Sequence, residues 1–220
     1  MPVDPNANVT VSAYQWVPDF ARGHVRDLRV RWALEEVRQP YSVRLLDVMA
    51  ERPADYLREQ PFGQVPAYHD DQVGIFESGA IVTHIAERWP GLLPQDPAGR
   101  AKAKAWVVAA LNSIEPITQQ LAEIDFFHKD EAWTKERRPQ VFEQATKRLT
   151  QLATYLGDRD WLETGFTVGD LMMVAVLRIF DGTPALDAHP ALSAYVKRGE
   201  ARPAFQRALD AQLADFKVDA

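Results

Sequence analysis

Apolar positions along this chain change their spacing from one segment to the next, and the changes mark out elements. Residues 9–16, "VTVSAYQW", hold β-branched and aromatic side chains without helical periodicity, as a strand does. After a loop with Pro18 and Gly23, two sets of apolar residues fall at helical spacing on one broad face: Val25, Leu28 and Trp32, then Val30, Leu34 and Val37. Gln39-Pro40 stops that helix. "YSVRLLDV" is again strand-like, and residues 54–59 read as a short polar helix. Residues 62–81 read as two short strands about a polar turn at 69–72, the second running into a helix that starts near Ser78 and closes before Pro90-Gly91. The predicted order to this point is βαβαββα.

From Arg100 onward the pattern is helical throughout, over residues 100–127, 139–156 and 168–180 and in shorter pieces after Pro190. In "FTVGDLMMVAVL", Thr167 and Asp170 stand at N-cap and N3 positions, flanked by Phe166 and Leu171. A capping box ahead of so apolar a run predicts a helix buried inside a bundle. "LLPQDPAG" has linker composition, which divides the chain into an α/β domain over 1–91, a linker over 92–99 and an all-α helical-bundle domain over 100–220.

The polar residues of the hairpin bring in chemistry. Pro66 interrupts its first strand, where a proline removes a ladder donor. A cis Val65–Pro66 bond is expected there, with the Val65 N–H and C=O turned outward at a sheet margin where an extended peptide can pair. Ser78 is expected to cap the next helix, beside N–H groups that favour an anion, while Glu77 attracts a cation. A carboxylate next to an ammonium, with an amide chain running to Val65, describes a small zwitterionic peptide.

Composition narrows the field. The net charge of −6 and the lack of a long Lys/Arg run argue against nucleic acid. No window approaches the ~18 apolar residues of a membrane span, and the first residues have neither a basic nor an apolar signal region, so no membrane partner and a cytoplasmic location are expected. The sequence has no cysteine, which excludes disulfides, thiolate metal sites and a Cys nucleophile, so any thiol chemistry must use a substrate's thiol. The five histidines show no metal-ligand spacing, and no metal is expected.

Four segments, in this order and at these separations, resemble the cytosolic glutathione transferases: "LRVRWALEE" (28–36), "QPFGQVPAY" (60–68), "ESGAIVTHIAE" (77–87) and "FTVGDLMM" (166–173). The resemblance implies a thioredoxin-like domain followed by the helical one. It also implies a peptide, glutathione, as co-substrate, with its cysteinyl part paired to Val65 beside Pro66 and its γ-glutamyl head at Glu77 and Ser78. Gln64, where many members have Lys, is expected near the glycine end. The implied reaction is attack of the glutathione thiol on a small hydrophobic electrophile, held in an apolar pocket that includes Trp16, Phe20 and Trp106, and the implied assembly is a homodimer.

One position departs from the family. Members lower the thiol pKa with a Tyr or Ser hydroxyl, or a backbone N–H, at the start of the first helix, but residues 16–27, "WVPDFARGHVRD", contain no Ser, Thr or Tyr. The candidates are Arg26, then His24, with Arg22 facing solvent and Tyr14 as a further donor. Two other functions stay open on this fold: reduction of small disulfides or peroxides by glutathione alone, and a non-catalytic glutathione transferase-like binding protein.

Overall fold

β1 (Thr10–Tyr14) is an inner strand of a four-stranded sheet of order β2-β1-β3-β4. β2 (Ser42–Leu46) runs parallel to it, β3 (Ala67–His69) antiparallel, and β4 (Gly74–Phe76) pairs antiparallel with β3. Parallel neighbours need a crossover, and α1 (Asp27–Glu36) supplies it. α2 (Ala54–Glu59) and α3 (Ser78–Arg88) complete the βαβαββα order. In this computed structural model, which describes residues 3–216, a single 3-10 turn, Asp19–Ala21, interrupts the loop before α1. Pro66 does not lie within the strand as expected. It immediately precedes β3, where its missing N–H costs no ladder bond, and the Val65–Pro66 bond is cis.

Burial of α1 goes beyond the apolar face seen in the sequence. Leu28, Val30, Trp32 and Leu34 are buried, but so are Asp27, Arg29, Arg31 and Glu35. The cause is that α10 (Pro203–Asp215) and α3 both pack along α1. Trp32 meets Phe205 edge-on with ring centroids 4.9 Å apart. Buried charge is tolerated only with partners, and each of the four has one: Arg31 pairs with Asp27 at 2.8 Å and Asp215 at 2.6 Å, Glu35 with Arg207 at 2.6 Å, and Arg29 donates to the Ser78 hydroxyl at 3.2 Å. Gln212 donates to Asp27 Oδ1 at 2.7 Å. The compact units are accordingly Met1–Leu93 with Ala201–Ala220, and Pro94–Glu200, so the helical domain expected over 100–220 gives up its last helix to the α/β unit.

The second unit begins with α4 (Pro97–Ala109) and α5 (Glu115–Ala122), which span the expected helical segment. Two five-residue π-helical turns, Ala110–Ile114 and Glu123–Phe127, interrupt and end that run. α6 (Ala132–Leu156) starts well before Pro139, which lies inside the helix instead of opening it. α7 (Val168–Leu177) is preceded by the expected capping box: Thr167 Oγ1 accepts from Gly169 N–H at 3.2 Å, and Asp170 Oδ2 accepts from Thr167 N–H at 2.9 Å. Asp170 Oδ1 also takes the Leu162 N–H at 2.9 Å and the Tyr195 hydroxyl at 3.0 Å. Gly169 lets α7 lie close on α4, since a Cβ there would stand 2.6 Å from Trp106 Cβ. α8 (Pro184–Asp187) and α9 (Pro190–Glu200) complete the unit. Among the described residues no helix is long and apolar enough to cross a membrane, and no cluster of three or more His, Asp or Glu could hold a metal ion.

Candidate functional site

The register of the β3–β4 hairpin brings the two halves of the candidate site together. Ala67 pairs with Phe76, so Val65–Pro66 leads into the ladder at the same end from which Glu77–Ser78 leaves it. The Val65 side chain is buried with Leu46, Tyr56 and Ala67. Neither its N–H nor its C=O has a hydrogen-bond partner among the described residues. Gln64 beside it is exposed, with its carbonyl turned inward to accept from the Tyr56 hydroxyl at 2.5 Å.

At the other half the cap is Glu77, not Ser78. Glu77 precedes α3 with φ 71°, and Ser78 is the first helical residue. A non-glycine residue at positive φ is uncommon, and such strain gathers at functional sites where the surroundings impose it. Glu77 is exposed and Ser78 buried. Ser78 Oγ accepts from Arg29 Nη1 at 3.2 Å. The Arg29 guanidinium behind the hydroxyl, with the unsatisfied N–H groups of the first α3 turn, makes this end of the helix favourable for a carboxylate. Arg29 was missed in the sequence because it reads as a charge on the polar face of α1. The sequence signal available was its place between two apolar positions of "DLRVRW", a helix later found buried on every side.

The candidates for thiol activation lie on the loop entering α1. Arg26 is the N-cap residue of α1 and is half-buried. The residue expected to face solvent, Arg22, is also half-buried and pairs with Asp19 Oδ1 at 3.2 Å, while His24 is the exposed member of the three. The difference follows from the 3-10 turn, whose end draws Arg22 back onto Asp19. Tyr14 ends β1 with its ring against the Leu46, Tyr56, Val65 and Ala67 cluster and the Arg52 guanidinium 5.2 Å from its centroid. Of the three residues expected to line an apolar pocket, Trp16 is half-buried and Phe20 is exposed. Trp106, on the helical unit, donates from Nε1 to Glu163 at 3.0 Å, lies 4.7 Å from the Tyr155 ring, and lines a pocket of about 200 Å³ with Ile114, Leu152 and Met173.

The N-terminal domain of glutathione S-transferases matches residues 20–87 of this chain, the stretch that carries α1, the hairpin and α3. Glutathione S-transferase PARB of Nicotiana tabacum is 30% identical over 170 residues, covering 70% of this chain and 78% of the tobacco protein. The chain belongs to the glutathione S-transferase family. A glutathione S-transferase of Silene vulgaris extends the match to 204 residues at 28% identity, 84% of this chain and 92% of that protein. A glutathione transferase family member of Pseudomonas fluorescens, solved with two glutathione bound, superposes with a TM-score of 0.80 over 91% of this chain and 92% of its own at 23% identity, which establishes the shared fold. Residues 16–27 of this family member contain no Ser, Thr or Tyr.

Proposed function

We propose that this glutathione S-transferase binds glutathione along Val65 and at Glu77–Ser78 and delivers its thiolate to a small apolar electrophile. The observation that carries the reading is the hairpin register: a backbone N–H and C=O without partners at Val65 among the described residues, at the same end as the exposed Glu77, whose backbone has φ 71°, and a hydroxyl at an α-helix N-terminus. Val65 pairs with the cysteinyl unit as one strand pairs with another. Glu77 takes the γ-glutamyl ammonium, while Ser78 and the first α3 turn take its carboxylate. Gln64 is the neutral partner for the glycine end.

A free thiol near pKa 8.5 is mostly protonated at neutral pH, so the protein must favour the thiolate. The start of α1 is the place for that, and Arg26 at its N-cap is the preferred cation over His24. The thiol proton leaves to solvent, a sulfur lone pair forms the C–S bond, and the electrophile's leaving group departs with its bonding electrons. The chemistry needs no metal. Two copies are proposed to associate as a homodimer, in keeping with the exposed Met49 and Phe62 of the first unit. The compartment that suits this reading is the cytoplasm.

Calorimetric titration with glutathione, followed by turnover against a panel of electrophiles, disulfides and peroxides, tests the reading. Binding with conjugation of an electrophile supports it. Turnover of disulfides or peroxides alone replaces transfer with reduction, and binding without any turnover makes the protein a binder.

A further inference from the structure

A strand residue, a helix residue and two backbone groups form one directed chain of hydrogen bonds behind the Val65 edge. The Ala67 N–H donates to Ser12 Oγ at 2.7 Å, Ser12 Oγ lies 2.8 Å from the Tyr56 hydroxyl, and the Tyr56 hydroxyl donates to the Gln64 C=O at 2.5 Å. Tyr56 has a single hydroxyl hydrogen, and Gln64 takes it. The Ser12 hydroxyl must therefore donate to Tyr56 while accepting from Ala67, so every hydrogen in the chain has one direction. Both side chains are buried, Ser12 in the middle of β1 and Tyr56 on α2. Burial pushes the Tyr56 phenol above its ordinary pKa, so it remains a donor through the neutral range.

The two ends of this chain fall on either side of Val65 and Pro66. On one side the Gln64 carbonyl is drawn inward, and on the other the Ala67 N–H. Val65 lies between them with no backbone partner among the described residues. The neighbouring turn is held independently: the carbonyl of Gly63, at φ 66°, accepts from Arg52 Nε at 2.9 Å, and the buried Gln60 side chain accepts from Phe62 N–H at 2.7 Å. Filling the space behind Val65 would require only apolar side chains, which replace a buried hydrogen-bonded pair at little cost. A polar chain adds direction. It fixes the Gln64–Val65 peptide plane, turning the Val65 N–H opposite to the inward Gln64 C=O, and it fixes the Pro66–Ala67 plane next to the one that carries the Val65 C=O.

We propose that Ser12 and Tyr56 are positioning residues for glutathione, holding the Val65 backbone in the orientation that pairs with the cysteinyl unit. This rests on the proposed placement of glutathione at Val65. Neither side chain touches glutathione, and both act through residues 64–67. Pre-organisation of this kind acts on binding, because the edge is already set before the ligand arrives. The chemical step, which occurs at the sulfur, is left alone.

The test compares Tyr56→Phe, Ser12→Ala and the double variant with the unaltered protein. Glutathione affinity is read by calorimetry, kinetic constants with a reporter electrophile, and thermal midpoints by circular dichroism. Tyr56→Phe removes one oxygen and keeps the ring. The expected result is a rise of about five- to tenfold in Kd and KM for glutathione in each single variant, with kcat at saturating glutathione changed by less than about twofold. Because either change breaks the same chain, the double variant should bind little worse than the singles, a non-additive cycle that two independent packing defects would not produce. Glutathione affinity unchanged within about twofold in both folded single variants overturns the proposal, as does an additive cycle. If these variants bind normally while Glu77→Ala weakens binding, the positioning role fails and the glutathione site stands. If the unaltered protein binds no glutathione, the site and the positioning role fall together.

Discussion

Arg29 Nη1 donates to Ser78 Oγ across 3.2 Å, joining α1 to the first turn of α3, 49 residues along the chain. The crossover helix thus supports the end of α3 proposed to receive the γ-glutamyl head. Ser78→Ala removes a hydroxyl acceptor and donor at once, and Glu77→Ala removes the charge opposite the ammonium. Charge-assisted hydrogen bonds contribute about 1.5 to 3 kcal/mol, so glutathione affinity should fall at least about tenfold in Glu77→Ala. Ser78→Ala should fall less, by about three- to tenfold. Calorimetric titration reads both, and wild-type affinity in both variants would remove glutathione from this end of the hairpin.

Thiol activation is expected to follow Arg26. An arginine stays charged at every working pH, whereas a histidine titrates near neutrality, so a protein relying on His24 would lose activation as pH rises. The ultraviolet thiolate absorbance of bound glutathione, followed against pH, should show its midpoint displaced upward in Arg26→Ala and nearly unmoved in His24→Ala. If neither variant moves the midpoint while both bind glutathione, a backbone N–H of α1 or Tyr14 is the activating group.

The hairpin turn has a pH-sensitive anchor in Asp70. Its Oδ2 accepts from Tyr68 at 2.9 Å, His84 at 2.8 Å and Arg88 at 3.0 Å, and its Oδ1 from the N–H groups of Gln72 and Val73 at 2.8 and 2.9 Å. Burial pushes this carboxyl up, but the hydrogen bonds from His84, Val73, Gln72 and Tyr68 outweigh it and hold the group well below the usual carboxylate range. A depressed carboxylate stabilises the fold above the unfolded pKa near 3.9, and the contribution is lost as pH falls below that value toward the folded pKa. Asp70→Asn should cost about 2 to 3 kcal/mol at neutral pH, and its thermal midpoint should converge on that of the unaltered protein as pH is lowered from about 5 toward 2. A gap that stays constant over that range would show that the charge of Asp70 is not what stabilises the turn.

Self-association is expected to depend on apolar surface of the first unit. Phe62 is 69% exposed. Light scattering should give a mass of two chains, and Phe62→Asp should shift the population toward one chain without lowering the thermal midpoint of the isolated fold. A one-chain mass for the unaltered protein across a wide concentration range excludes the dimer.

Local order was legible without the structure wherever the cause is local. The residue range of α2, the order of strands and helices, and the Thr167–Asp170 box all follow from periodicity, proline and glycine positions, and capping chemistry, each written within a few residues. The absence of cysteine likewise determined from the sequence that any reactive sulfur must come from a substrate. Other features had no local sign. Packing overrode propensity at Pro139, which a long, partly buried α6 accommodates. The positive φ of Glu77 belongs to the junction of a sheet and a helix. Arg29 and Ser78, and Ser12 and Tyr56, meet across 49 and 44 residues, and Gln212 reaches Asp27 across 185. A buried polar group costs free energy until a partner is brought to it, and that partner is chosen by how helices and strands pack, which no short stretch of sequence contains.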